Sequence, residues 1–365
     1  MRAIILPIVL IIVQLLTYGL VLALQWLLRP YVALPSRWLL IGCFVGSNLL
    51  LAVGFMGLFR LSTAWLAALW LGLLSAGVAW GLIAGSRGLG ISGVGYERLL
   101  ALASFVALVG FSVYNAYSPT VRYLTVAIDK PLAVPIRVAV ASDLHLGALF
   151  GTRELKKLGD IVQQNQVDIL LLPGDIMDDD TTGFERAAMA TQFKEALSAA
   201  PITAVSLGNH DLYRTSAYAS ITQAITATGA LLLDDKVETV AINKEGQQVR
   251  VQLAGRFDDH NTARLTTKAL LADSDTSLPV ILLDHRPSEI DSNSQLPIDL
   301  QVSGHTHNGQ VFPANFIVQA INRVGYGYDN INGMHVVVSS GFGFWGIPLR
   351  LGSQSEVWVI DIVGR

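Results

Sequence analysis

The chain has 365 residues, of which 52 % are hydrophobic and 15 % charged, with a mean hydropathy of +0.48. Soluble domains carry roughly 25 % charged residues, so this composition excludes a wholly soluble protein and a disordered one alike. The net charge of −3 leaves no general basic surface for nucleic acid, and the single cysteine, Cys43, excludes an internal disulfide framework or a cysteine zinc cluster.

The charge is unevenly spread. Residues 1–118 hold six basic residues and one acid, Glu97, whereas the rest of the chain holds 19 basic and 27 acidic residues. Residues 4–26, 38–59 and 65–84 are uncharged runs of 23, 22 and 20 residues. Each is long enough as a helix to cross roughly 30 Å of hydrocarbon. Residues 99–117 form a fourth run, weakened by Ser104, Ser112 and Asn115. Trp26, Arg29, Arg37, Trp38, Arg60, Trp65, Arg87 and Arg98 flank these runs, where interfacial anchors belong. The first run exceeds the about 7–15 residues of a signal-peptide core, so it reads as a span. Cys43 lies inside the second span as a small apolar residue. The expectation is a multi-pass protein of the cell membrane, with about four helices in 1–118, a linker at 119–135 and a second domain at 136–365. Four spans place the amino terminus and the second domain on one side. The arginines divide too evenly between the two faces to say which side that is.

The second domain alternates strand and helix signals. Residues 136–142 (IRVAVAS) and 167–172 (VDILLL) are short apolar strands separated by a helix at 152–165, with Leu155, Leu158, Ile161 and Val162 on one face. A helix at 185–199, a strand at 202–207 and a helix at 217–228 come next. Residues 237–243 and 249–254 form a hairpin around Lys244-Glu245-Gly246, and 262–271 reads as a helix. Further strands fall at 279–283, 300–303, 334–339 and 357–362. The pattern predicts an α/β domain with a large mixed sheet or a pair of sheets.

The chemistry is concentrated where the strands end. The first runs into Asp143-Leu144-His145 and the second into Gly174-Asp175, with Asp178 three residues on. The third runs into Gly208-Asn209-His210-Asp211, and the later strands into Asp284-His285 and Gly304-His305-Thr306-His307. Ligands of α/β sheets bind beyond the carboxyl ends of the strands, and five of the seven histidines lie at these places. Mixed carboxylate oxygen and imidazole nitrogen suit Mn, Fe or Zn better than Mg. A carboxylate can bridge two such ions about 3.5–4 Å apart. The glycines before Asp175, Asn209 and His305 permit sharp turns close to the ions.

These blocks, in this order, resemble the calcineurin-like metallophosphoesterases, whose pattern is D-x-H, G-D-x-x-D, G-N-H-[DE], a lone His and G-H-x-H. The resemblance spans roughly residues 136–362, including Ser339-Ser340-Gly341 and Pro348-Leu349-Arg350. It departs from the family pattern at Asn308, where a glycine is frequent. It implies a four-layer α/β sandwich, two mixed sheets flanked by helices. It also implies two divalent metal ions, manganese favoured, one held by Asp143, His145 and His307, the other by Asn209, His285 and His305, with Asp175 between them. By the same resemblance His210 protonates the leaving group and Asp178 orients its ring. Water between the ions then attacks phosphorus, because metal binding brings its pKa toward neutrality.

The implied activity is hydrolysis of phosphomonoester, phosphodiester or pyrophosphate bonds in a small-molecule or lipid-linked substrate. Some relatives cleave UDP-2,3-diacylglucosamine, which would explain tethering to a lipid bilayer. The competing function is a membrane sensor or transporter whose rear domain only binds metal or nucleotide. The spans carry no Asp, Glu, Lys or His between their ends, so no charged transport path is visible. Asp211 is balanced between a supporting role beneath the metals and a structural one. Arg286 is expected at the surface, and His260 and His335 are expected to be structural or exposed. Phe312, Phe316, Tyr326, Tyr328, Phe342, Phe344 and Trp345 are expected to pack in core and loops; the sharper alternative is an apolar wall for an acyl or polyprenyl chain.

Overall fold

The computed structural model describes residues 2–32, 35–91 and 93–365, and the chain divides into two units, Met1–Val113 and Tyr114–Arg365. Among the described residues of the first unit are α1 (Arg2–Leu28), α2 (Ser36–Phe55), α3 (Phe59–Gly88) and α4 (Val94–Tyr117), whose last turn belongs to the second unit. All four are long and apolar enough to cross a membrane. Polar contacts join the first three. Thr17 Oγ1 donates to Ser47 Oγ (3.0 Å), Trp65 Nε1 donates to the same oxygen (3.1 Å), and the Gln14 and Asn48 amides exchange two bonds of 3.2 Å. Such bonds tie helices together where there is no hydrophobic drive between them. Arg87 Nε donates to the buried Glu97 (2.7 Å), linking the ends of α3 and α4.

The second unit holds two six-stranded sheets among the described residues. The first comprises β1 (Thr120–Ile128), β2 (Ile136–Val140), β3 (Ile169–Pro173), β4 (Ile202–Ser206), β5 (Leu231–Leu232) and β12 (Glu356–Gly364), in the order β1-β12-β2-β3-β4-β5. The second comprises β6 (Lys236–Lys244), β7 (Gln247–Gly255), β8 (Val280–Leu283), β9 (Leu300–Ser303), β10 (Gly327–Ile331) and β11 (Met334–Val338), in the order β10-β11-β9-β8-β7-β6. Side chains alternate between faces along a strand, and here the alternation separates the layers. Val138, Val140, Ile169, Leu171, Ile281 and Leu283 meet between the sheets. Ala139, Leu170 and Leu172 face outward onto the helix Thr152–Gln164 and its neighbours, through Leu155, Leu158, Val162 and Phe193. Val280 and Leu282 face outward on the other side, against Leu270 and Ile290. The result is the expected four-layer sandwich. Each fully buried Leu or Ile contributes roughly 1.5–3 kcal/mol relative to exposure.

Three expectations change. Residues 119–135 are not a free linker, because β1 lies within them and pairs along its whole length with β12. The helix expected at 185–199 is two pieces, Thr182–Arg186 and Ala190–Leu197, and that expected at 262–271 shrinks to the turn Thr267–Leu270. The helix Ala314–Ile321 and strand β10 were not foreseen from the pattern. The parallel register of β2, β3 and β4, and of β8 and β9, brings their carboxyl ends to one edge of each sheet.

Candidate metal centre

The loops beyond those strand ends are tied to one another. Asp143 N–H donates to Gly174 O (3.0 Å) and His145 N–H to Asp175 O (3.0 Å). Asp143, His145, Asp175, His305 and His307 all have positive φ, between 45° and 67°. This region costs a non-glycine residue about 1–2 kcal/mol, and such strain collects where function requires it. Two glycines make room. A Cβ at Gly208 would overlap the Asp175 carboxylate, and one at Gly304 would overlap that of Asp143.

The side chains converge around Asp175. Its Oδ2 lies 3.2 Å from His285 Nε2 and 3.7 Å from His145 Nε2, while its Oδ1 accepts the His210 N–H at 2.8 Å. His307 Nε2 is 3.2 Å from His145 Nε2 and 3.5 Å from Asp143 Oδ1. Asp143, His145 and His307 form one set of ligand atoms within 4.8 Å of each other, and Asp175, His285 and His305 form another. The His285 and His305 rings are 5.2 Å apart. The Asp143 carboxylate accepts the His305 N–H at 3.0 and 3.1 Å.

The donor set fits a pair of divalent cations. Among the described residues, the buried Asn209 Oδ1 makes no hydrogen bond, and His285 Nε2 faces the Asp175 carboxylate at 3.2 Å. In each side chain the other polar atom is bonded elsewhere: His285 Nδ1 donates to Pro173 O (2.8 Å), and Asn209 Nδ2 donates to Tyr213 Oη (2.8 Å). Leaving a buried acceptor unpaired costs about 1–3 kcal/mol, and a cation removes that cost. Charges agree. Burial pushes His145 and His305 down to about 3 and His307 well below its usual range, so these imidazoles stand neutral, as ligands must. Burial raises Asp143 to about 6. Burial alone would raise Asp175 too, but facing His285, His145 and His210 holds it far below the usual carboxylate range. His285 is lowered by burial, yet the Asp175 and Asp143 charges carry it up to about 10.

His210 sits beside this cluster with its ring 4.8 Å from that of His145. The carboxylate bonded to its Nδ1 is Asp179 (Oδ1 at 2.6 Å), while Asp178, to which the resemblance gives this role, lies 4.0 Å from His145 Nδ1 and shares with Asp179 and His210 a group of ligand atoms within 4.8 Å. Asp179 has φ +70°, which turns its side chain into the site, while Asp180 accepts the Thr182 N–H and pairs with Arg214. Since a carboxylate only accepts, Nδ1 carries a proton and Nε2 is left for substrate. Burial lowers the His210 pKa, but the Asp179 bond and the Asp175 charge outweigh it and the net shift is upward. Asp211 is fully buried and accepts the N–H groups of Ile176 (3.1 Å), Met177 (2.9 Å) and Gly208 (3.0 Å), clamping two site loops together. Burial and the Asp175 charge raise it to about 7.

Other residues fall into place around the centre. Arg286 is half-buried and donates to Asp258 (2.7 Å), so it is not the free surface residue expected. His260 is exposed against Tyr213 (5.1 Å), and His335 accepts from Tyr328 and bonds Ala127 O. Sequence reasoning gave no role to Arg350. It is fully buried and donates to Ser340 O (2.6 Å), Gly343 O (2.5 Å) and Ser353 Oγ (2.6 Å), with Nη2 3.2 Å from His307 Nδ1. A lone arginine among Pro, Leu and Gly was the only signal. Phe342 and Phe344 are core residues, and Tyr326 bonds the buried Glu356 (2.9 Å), so these three line no wall. Phe316 is 60 % exposed.

Comparison with known proteins identifies the family. The family pattern described as calcineurin-like phosphoesterase matches residues 136–309. An uncharacterized metallophosphoesterase of Helicobacter pylori is 30 % identical over 281 residues, covering 74 % of this chain and 72 % of its own length. A transmembrane protein with metallophosphoesterase domain from Danio rerio is 28 % identical over 282 residues, covering 73 % of this chain and 62 % of its own. An uncharacterized metallophosphoesterase of Aquifex aeolicus is 28 % identical over 273 residues, 71 % of this chain and 98 % of its own.

Proposed function

The chain belongs to the calcineurin-like metallophosphoesterases and is a metal-dependent phosphoric ester hydrolase, and from that premise we propose that it is a membrane-anchored, dinuclear enzyme acting on phosphoester or pyrophosphate bonds of lipid-linked or membrane-bound molecules. Asp143, His145 and His307 would hold one cation, Asn209, His285 and His305 the other, with Asp175 shared; manganese is the favoured metal and UDP-2,3-diacylglucosamine one substrate of the right class. The observation that carries the reading is the Asp175 carboxylate, whose Oδ2 faces both His285 and His145 while its Oδ1 is held by the His210 amide. The four apolar helices support the anchoring.

Divalent cations supply Lewis acidity and a nucleophile usable at neutral pH. The chain's own residues do the rest. His210 holds a proton at Nε2 for the departing oxygen, and Asp179 fixes the ring so that this proton points outward. A positioned general acid contributes roughly 10²–10⁴-fold. Asp211 keeps the Asp175 and His210 loops in register through its three backbone bonds. Arg350 ties the His307 loop, through His307 O (3.5 Å) and Nδ1 (3.2 Å), to the carbonyls of Ser340 and Gly343.

The full chain in detergent should hydrolyse a chromogenic phosphodiester when Mn²⁺ is added and lose that activity on chelation. Metal binding without turnover on any phosphate ester would leave a sensor and end the enzymatic reading.

A further inference from the structure

The last turn of α4 is built into the two-sheet unit. Asn115 Nδ2 donates to Arg350 O (3.2 Å) and its carbonyl accepts the Ser355 N–H (2.9 Å). Ala116 is fully buried in the core, and Tyr117 Oη donates to Leu149 O (2.9 Å). From this turn a short path of backbone bonds leads sideways. Leu351, next to Arg350, donates its N–H to Gln310 O (2.9 Å) and accepts that of Phe312 (2.6 Å). Two residues later the helix Ala314–Ile321 begins.

That helix is unusual for this unit. Its sequence is ANFIVQAI, and none of its residues is buried. Phe316, Ile317 and Ile321 are 60, 58 and 74 % exposed, and Leu149, bonded to Tyr117, is 42 % exposed. At 100° per residue, Phe316, Ala320, Ile317 and Ile321 fall within about 140° of arc, and Asn315 and Gln319 lie on the other side. An apolar face turned to water is the mark of an interaction surface. Its place points to the partner, because a chain of hydrogen bonds through Leu351 and Arg350 ties its start to the turn where a candidate membrane span, Gly95–Tyr117, ends.

We propose that the helix Ala314–Ile321, with Leu149, lies in the headgroup–acyl boundary of the bilayer crossed by α4. This rests on the membrane-anchored reading above. A helix of this kind buries its apolar face about 5–10 Å into the boundary. The ligand loop packs directly on it: a Cβ at Gly309, two residues after His307, would overlap the Ala314 and Asn315 backbone. Docking the helix therefore holds the metal centre at headgroup level, where a phosphoester of a membrane lipid presents itself.

The test uses the full chain in phosphatidylcholine–phosphatidylglycerol vesicles. With Cys43→Ala as background, an environment-sensitive fluorophore is attached at Leu49→Cys on the exposed face of α2, at Ile317→Cys, or at Gln319→Cys, and each labelled chain is checked for monodisperse elution beforehand. Brominated lipids then replace ordinary ones. The expected result is quenching of about twofold or more at 49 and 317, with little at 319. Quenching at 49 without quenching at 317 overturns this proposal and leaves the spans intact. Equal quenching at 317 and 319 overturns the assigned face, and so does a 317 label shielded by a second copy and insensitive to lipid. Absence of quenching at 49 overturns the membrane reading itself.

Discussion

In the helical unit, Ile11, Leu15, Leu49 and Trp80 are between 60 and 75 % exposed, while the hydroxyls of Thr17, Ser47 and Ser112 are buried in residues with no exposure. In the two-sheet unit, Ile136, Leu144, Leu171 and Val302 expose 1 % or less, and polar side chains gather at one edge of the sheets. One unit turns its large apolar side chains outward and the other buries them. The contrast extends to the polar atoms that each unit buries. In the helices Ser47 serves two donors, Thr17 and Trp65. In the sandwich the Asp211 carboxylate is saturated by three backbone N–H groups, but Asn209 Oδ1 makes no hydrogen bond and His285 Nε2 meets the Asp175 carboxylate at 3.2 Å. A buried polar atom with its bonds made is part of the scaffold. Polar atoms that converge on one another at a strand edge instead of closing their bonds locally mark a candidate ligand site.

Substitutions can break that distinction. Asp175→Asn removes the charge both halves of the site share, and phosphodiester hydrolysis should fall to background while the far-ultraviolet circular dichroism is unchanged. His210→Ala should lower turnover by roughly 10²–10⁴-fold and keep the metal content of the parent; loss of metal together with activity would show that His210 is a ligand. Asp179→Asn should cost about 10–100-fold through the freed His210 ring, more than Asp178→Asn, and the opposite ranking would restore the role that the sequence pattern assigns to Asp178. In the helical unit, Ser47→Ala should lower stability in detergent by about 0.6 kcal/mol and leave turnover untouched.

The smallest effect concerns the surface of the sandwich, where Arg137 forks onto Asp361 at 2.7 and 2.9 Å. That bond, helped by the Arg137 charge, holds the Asp361 carboxyl below its ordinary range. A depressed carboxylate stabilises the fold above its unfolded pKa and loses the contribution as pH falls through the folded one. Both groups are more than a third exposed, so Asp361→Asn should cost only about 0.2–1 kcal/mol at pH 7. The difference from the parent should vanish in acid denaturation titrations below the folded pKa of Asp361.

The metal edge of the sandwich was legible because apolar runs such as VDILLL end abruptly in Gly-Asp or Gly-Asn-His, and strand ends are where α/β sheets present ligands. The four helices were legible from run length alone. What escaped depends on conformation that residue types do not encode. Three aspartates stand in a row at 178–180, and residue type does not reveal the left-handed backbone at Asp179, the one that bonds His210 Nδ1. Arg350 acts on a loop 43 residues before it, through carbonyls that any sequence would supply. Strand β1 looks like a tether until β12, at the far end of the chain, pairs with it. The helix Ala314–Ile321 has no polar face long enough to show a period.

The central claim is that Asp175 is shared by two cations, and metal stoichiometry at saturating Mn²⁺ tests it most directly. Inductively coupled plasma measurements on the full chain should find two ions per polypeptide, and at most one in Asp175→Asn. A parent chain that binds a single ion, or an Asp175→Asn chain that still binds two, would contradict it.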